Sequence, residues 1–154
     1  MRYLLLFIVS FSLITISSCR KDFSTTPSFG KLEFSKDTVF LDTVFTNIGS
    51  ATYNLKVYNR SSKDISIPSI QLENGMMSNY RLNVDGIAGK EFNEINILAN
   101  DSMYVFVETT IDFSTITDPL YTDKILFDNG INQQDVDLVT LVQDANFIFP
   151  GRDP

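Results

Sequence analysis

The sequence predicts an all-β fold, an immunoglobulin-like β-sandwich of about seven to nine antiparallel strands preceded by a signal peptide. Three observations carry that reading. Between Lys31 and Asn146 apolar side chains recur at every second position, the period of a half-buried strand. Clusters of Asn, Asp, Ser and Gly interrupt those runs at short intervals, where turns belong. No stretch of a dozen residues carries the period of about 3.6 that marks an amphipathic helix.

The strand signals follow in chain order. Thr38 to Phe45 is rich in β-branched and aromatic residues, which suit a pleated surface. Tyr53, Leu55 and Val57 alternate with Asn54, Lys56 and Tyr58. Ile65 and Ile67 alternate until Pro68 shifts the parity, after which Ile70 and Leu72 follow; a proline there predicts an edge strand or a bulge. Met103, Val105, Val107 and Ile111 share one face. Ile125 with Phe127, and Val136 with Leu138, form two short runs joined through Asp128-Asn129-Gly130, a hairpin signal. Asn47 to Ser50, Asn59 to Asp64, Glu73 to Gly75, Asp85-Gly86 and Ala99 to Ser102 supply the other turns.

Residues 1–18 have the three regions of a secretory signal: Arg2, an apolar run from Tyr3 to Ile16, and small residues at the end. The run is shorter than the ~20 residues a helix needs to cross a bilayer. Ile16-Ser17-Ser18-Cys19 resembles the lipobox of bacterial lipoproteins, in which the cysteine sulfur is alkylated with diacylglycerol before cleavage. That resemblance implies lipidation at Cys19 and a membrane partner reached through the lipid. Residue 20 is Arg rather than the Asp that retains many lipoproteins in the inner membrane, so outer-membrane sorting is expected, facing the periplasm or the cell surface. Residues 19–30, polar and rich in Ser, Thr, Pro and Gly, read as the lipidated tether. Residues 31–147 read as the sandwich and 148–154 as a C-terminal tail or truncated linker.

Composition narrows the chemistry. The 154 residues include no His, which removes Ser-His-Asp and Cys-His relays and imidazole ligation. A single Cys precludes an internal disulfide and a thiolate metal cluster. A formal charge of −7 argues against nucleic acid as a partner. Gly86 and Gly89 lack the following Lys-Ser/Thr of a phosphate-cradling loop. No cofactor is implied, and no enzymatic activity.

Leu55 to Ser61 followed by Ile65-Ser66-Ile67 resembles the opening strands of ASPM/SPD-2/Hydin-like immunoglobulin-type domains. Leu98 to Ser102 before Val105-Phe106-Val107, and the pair Lys124–Phe127 with Val136–Leu141, are similar to later segments of the same domains. The stretches Asp37–Thr46, Tyr80–Gly86 and Asn100–Val107 also resemble the N-terminal region of uncharacterised Bacteroidota lipoproteins, in which a right-handed β-helix often follows the sandwich. The present sequence stops at Pro154 without β-helix residues. A short lipoprotein and a fragment of a longer β-helix lipoprotein both fit, and activity belonging to a β-helix is not implied.

Three sets of side chains are candidates for function. Tyr58, Tyr104 and Phe106 fall opposite the core faces of their strands, where flat rings could meet a protein or a sugar. Asp112, Asp118, Asp123 and Asp128 flank one loop and are the calcium candidates. Their spacing matches no EF-hand, and Asp serves turns for local reasons, so no metal is expected. Asp135 and Asp137 project from one strand face, as two carboxylates for glycoside hydrolysis must, but solvent-facing positions explain the same spacing. The expected role is a non-enzymatic interaction or spacer module, the alternative an accessory glycan-binding component of a polysaccharide-processing system.

Overall fold

The computed structural model describes residues 25–27, 31–128, 131–148 and 151. The signal peptide and Cys19 lie outside the described residues. Within them the chain is all-β, with eleven strands: β1 (Thr26–Pro27), β2 (Glu33–Phe34), β3 (Thr38–Phe45), β4 (Tyr53–Tyr58), β5 (Ile65–Leu72), β6 (Tyr80–Val84), β7 (Ile87–Gly89), β8 (Glu91–Ile97), β9 (Ser102–Thr109), β10 (Leu120–Asp128) and β11 (Gln133–Gln143). Three of these, β1, β2 and β7, are two or three residues long; the remaining eight correspond to the strand number expected from the sequence.

Two sheets form the sandwich. One runs β1-β5-β10-β11-β3, with β8 on the far side of β5; the other runs β2-β4-β9-β6-β7. Alternation places Val39, Leu41, Ile67, Ile70, Ile125, Phe127, Val136 and Leu138 of the first sheet inward. They meet Leu55, Val57, Leu82, Val84, Val105 and Val107 of the second, all buried in one core. A smaller cluster of Val44, Ile111 and Val142 closes one end. The two-residue turn Asp85-Gly86 joins β6 to β7 with φ of 51° and 82°, the left-handed pair that Asp-Gly supplies in a tight hairpin.

Two pairings depart from the antiparallel expectation. β3 lies parallel to β11, and β1 parallel to β5. A period-two pattern records which side of a strand is buried and nothing about its direction, so the departure has no sequence signal. Along β3 the register slips: Phe40 faces Val139 but Thr43 faces Leu141, so Leu41 and Asp42 share Thr140. Asp42 has φ of 48°, and this bulge lets Leu41 and Val44, three apart, both point inward.

Pro68 is not on an edge strand, because β5 is flanked by β8 on one side and by β1 and β10 on the other. It falls between the stretch paired with β1 and the stretch paired with β10, where a missing N–H interrupts no ladder. The parity shift it announces is real: Ile67 and Ile70 are both buried. Opposite it Glu94 takes φ of 55°, so β8 shifts parity with β5 and the register is kept. The pairing of Thr26 with Ile65 also ties part of the expected tether to the domain, and Phe147 packs edge-on against Phe45 at 6.0 Å.

Candidate functional site

The outer face of the five-stranded sheet is built by the outward positions of β4, β9 and β6. An antiparallel sheet with one face on a core usually turns a polar face to water. Here β9 instead presents Tyr104 and Phe106, 48% and 39% exposed. Being two residues apart on one strand they share a face, with ring centroids 6.0 Å apart and planes 19° from parallel.

Register assigns their neighbours. Asn54 of β4 and Asn83 of β6 stand directly across from Phe106, one on each side. Lys56 stands opposite Tyr104, and Tyr58 opposite Ser102. The Lys56 ammonium is 5.3 Å from the ring centroids of both Tyr58 and Tyr104, close enough for cation–π attraction to each. The Arg60 guanidinium sits 4.2 Å over the other part of the row, on the Tyr58 ring. The result is a continuous strip: Arg60, Tyr58, Lys56, Tyr104 and Phe106, the last bordered by two amides.

The charges along it are unevenly satisfied. Arg60 donates to both oxygens of Glu33, at 2.9 and 3.2 Å. That hydrogen bond holds the Glu33 carboxyl below its ordinary value and raises the guanidinium's. Arg81 and Glu108 pair at 3.7 Å near the Phe106 end, and the Asp101 carboxylate accepts the Ser102 N–H. The ion pairs among the described residues leave Lys56 out. Beside Tyr58 a recess of about 110 Å³ is lined by Lys31 and Arg60, which adds a second cation to that end.

All three aromatic residues singled out in the sequence therefore fall on one surface. Asn54, Lys56, Arg60 and Asn83 were not foreseen. Lys56 and Asn54 carry a local signal, since they share the outward parity of Tyr58; the position of Asn83 depends on strand register, which only the fold supplies.

The four calcium candidates are not brought together. Asp112 caps the short 3-10 turn Phe113–Thr115, accepting from the Ser114 N–H and hydroxyl at 2.9 and 2.8 Å, which lowers its pKa. Asp118 accepts the Leu120 N–H at 2.8 Å as β10 begins. Asp123 points inward from the middle of β10 and is only 4% exposed, and Asp128 ends the same strand. Among the described residues no three acidic side chains converge on a point where a metal ion could sit.

Asp135 and Asp137 do share the outer face of β11, and both are engaged by Lys124 of β10, at 2.6 and 3.5 Å. One ammonium thus bridges the two carboxylates and offsets one of their two charges. Its own pKa is raised, chiefly by the hydrogen bond it donates to Asp135. This sheet also exposes Phe40, Leu120 and Leu141, which line a shallow groove of about 640 Å³ with Val139.

No family model matches the chain, and no curated protein matches it. Among solved structures it is similar to a family 123 glycoside hydrolase from Clostridium perfringens, with 13% identity and a TM-score of 0.47, over 71% of this chain and 23% of that one. A protein of unknown function from Porphyromonas gingivalis W83 gives 11% identity and a TM-score of 0.49, over 80% and 51%. A FixG-related protein from Vibrio parahaemolyticus gives 13% and 0.42, over 63% and 81%. The chain thus spans about a quarter and about half of the first two proteins. Similarity at this level carries no argument about activity.

Proposed function

We propose that this protein is an outer-membrane lipoprotein, held by lipid on Cys19, whose immunoglobulin-like sandwich is a non-enzymatic binding module. The working surface is the strip Tyr58, Lys56, Tyr104 and Phe106. The observation that carries the reading is the pair Tyr104 and Phe106, stacked and exposed on a sheet face that burial has no reason to make aromatic. Exposed rings of this kind are a cost in solubility unless something binds them.

Anchoring rests on the lipobox-like Ile16-Ser17-Ser18-Cys19. Six residues lie between Cys19 and Thr26, where β1 joins the sheet, which makes seven Cα–Cα steps. Fully extended they reach about 25 Å, so the module would stand close to its membrane. Two measurements test the proposal. Radiolabelled palmitate is expected to enter the wild type and not Cys19→Ala; equal labelling refutes the anchor. A photo-cross-linking amino acid in place of Tyr104 is expected to capture a defined ligand in cells, whereas the same group in place of Phe40, on the opposite sheet, is not. Equal capture at both positions refutes the strip as the working face.

A further inference from the structure

The strip has an internal order that narrows its ligand. A protein-binding surface concentrates its apolar side chains in a central dry patch and places polar groups at the rim. Here the two kinds alternate. Phe106 has an amide on either side of it, Tyr104 has the Lys56 ammonium across from it, and Lys56 also contacts the next ring, Tyr58. Each ring is thus bordered by a hydrogen-bonding group in its own row.

A pyranose has the matching shape. One face carries C–H bonds that meet the negative face of an aromatic ring, and its rim carries hydroxyls. The Asn54 and Asn83 side chains each offer donors and an acceptor to such hydroxyls from opposite flanks of Phe106. Rings two residues apart on β9, with planes 19° from parallel, form a stepped platform on which successive sugars can lie.

Charge selects among sugars. The chain carries −7 overall, yet among the described residues Lys56 at the middle of the strip has no carboxylate partner, and at the Tyr58 end Lys31 lies beside the Glu33-paired Arg60. Lys56 and Lys31, outside the ion pairs of the described residues and set apart along the strip, favour on this acidic protein an anionic ligand whose charges lie at intervals along a chain. We infer that the outer face of the five-stranded sheet binds an acidic polysaccharide, with sugar faces on Tyr104 and Phe106, hydroxyls on Asn54 and Asn83, and a carboxylate on Lys56. This inference rests on the strip being the working surface, and it adds the ligand class.

The test uses the full chain in mild detergent and affinity electrophoresis through gels containing polygalacturonate, alginate or hyaluronan, with methyl-esterified polygalacturonate as the uncharged counterpart. Retardation by at least one of the acidic polymers is expected. Phe106→Ala and Tyr104→Ala are expected to weaken it at least tenfold, while Phe40→Ala leaves it unchanged. Lys56→Gln is expected to reduce the preference for polygalacturonate over its methyl ester several-fold, and added salt to weaken acidic binding more than neutral. Phe40, Tyr104 and Phe106 are exposed and Lys56 is half-buried, and equal melting temperatures confirm that the variants fold. Equal binding of acid and ester overturns the acidic preference. Retardation indifferent to Tyr104 and Phe106, or no retardation by any acidic polymer, overturns the inference as a whole. Should the cross-linker at position 104 then capture a single protein, the saccharide is wrong and the working face stands; capture of nothing removes both.

Discussion

Tyr80 Oη on β6 lies 3.1 Å from Thr140 Oγ1 on β11, between the two sheets and out of reach of water. The same oxygen is 3.0 Å from the Tyr121 carbonyl on β10, and the two tyrosine rings pack at 5.3 Å. A phenol has one proton, so it serves one of these acceptors while the Thr140 hydroxyl can supply the other bond. Tyr80→Phe keeps the ring and removes the bridge, leaving the buried Thr140 hydroxyl and the part-buried Tyr121 carbonyl each without that bond. The expected loss is about 1–3 kcal/mol in urea unfolding. An unchanged midpoint would show that the bridge contributes nothing.

The same residue sets an alkaline limit. Burial pushes the Tyr80 phenol well above its ordinary value. An unfolded tyrosine ionises at about 10. Below that pH both states are protonated and the contribution is complete; above it only the unfolded chain releases the proton, so stability falls as pH rises toward the folded value. The unfolding midpoint of the wild type is expected to drop more steeply than that of Tyr80→Phe above about pH 10. Parallel curves would count against a buried, protonated phenol.

Much of this was legible before the fold was known, and the exceptions have physical causes. β3, β4, β5 and β9 announce themselves because apolar side chains alternate along them, with one break in parity at the β3 bulge and one at Pro68 in β5. β8 does not: Phe92, Ile95 and Ile97 are spaced by three and then two, because the chain changes parity at Glu94 to stay in step with Pro68. Tyr80, Leu82 and Val84 do alternate, but over so short a run that the pattern passes for a loop. Asp123 was the most misleading residue. Its neighbours Asp118 and Asp128 belong to strand ends, yet it occupies an inward position that the alternation reserves for apolar side chains. The aromatic strip was readable as parity, residue by residue. Its polar companions were not, since Asn83 meets Phe106 only through the pairing of β6 with β9.

Asn59 gives a sharper test of side-chain chemistry. It is 3% exposed at the end of β4, and its amide nitrogen lies 2.8 Å from the Lys63 carbonyl, 2.9 Å from Leu98 and 3.2 Å from Ile97. Its oxygen accepts from the Ser61 N–H and hydroxyl at 3.0 and 2.7 Å. One side chain thereby fastens the loop after β4 to the end of β8. Asn59→Asp preserves shape and the acceptor, but turns the donor into a second acceptor facing three carbonyls. A loss of about 3 kcal/mol is expected, larger than for Asn59→Ala, which removes the repulsion along with the bonds. Chemical denaturation of the two variants decides; an aspartate variant more stable than the alanine one would contradict this account.

Asp123 takes over where a strand runs out. β5 pairs Leu72 with Ile125, and the Glu73 N–H still reaches the Lys124 carbonyl at 2.9 Å. One residue further the ladder has no backbone acceptor in place, and Asp123 Oδ1 accepts the Asn74 N–H at 3.2 Å, together with the Lys124 N–H at 2.8 Å. The carboxylate thus holds the entry to the turn Gly75–Met77, while its other oxygen is buried without a hydrogen-bond partner among the described residues. Asp123→Ala strands both N–H groups and is expected to cost about 1–3 kcal/mol. Asp123→Asn retains Oδ1 and sheds a buried charge, so it is expected to cost less. Amide exchange separates the two explanations: Asn74 is expected to exchange faster in the alanine variant and near the wild-type rate in the asparagine one. If alanine leaves Asn74 as protected as before, the backbone alone shapes this turn and the buried carboxylate has no part in holding it.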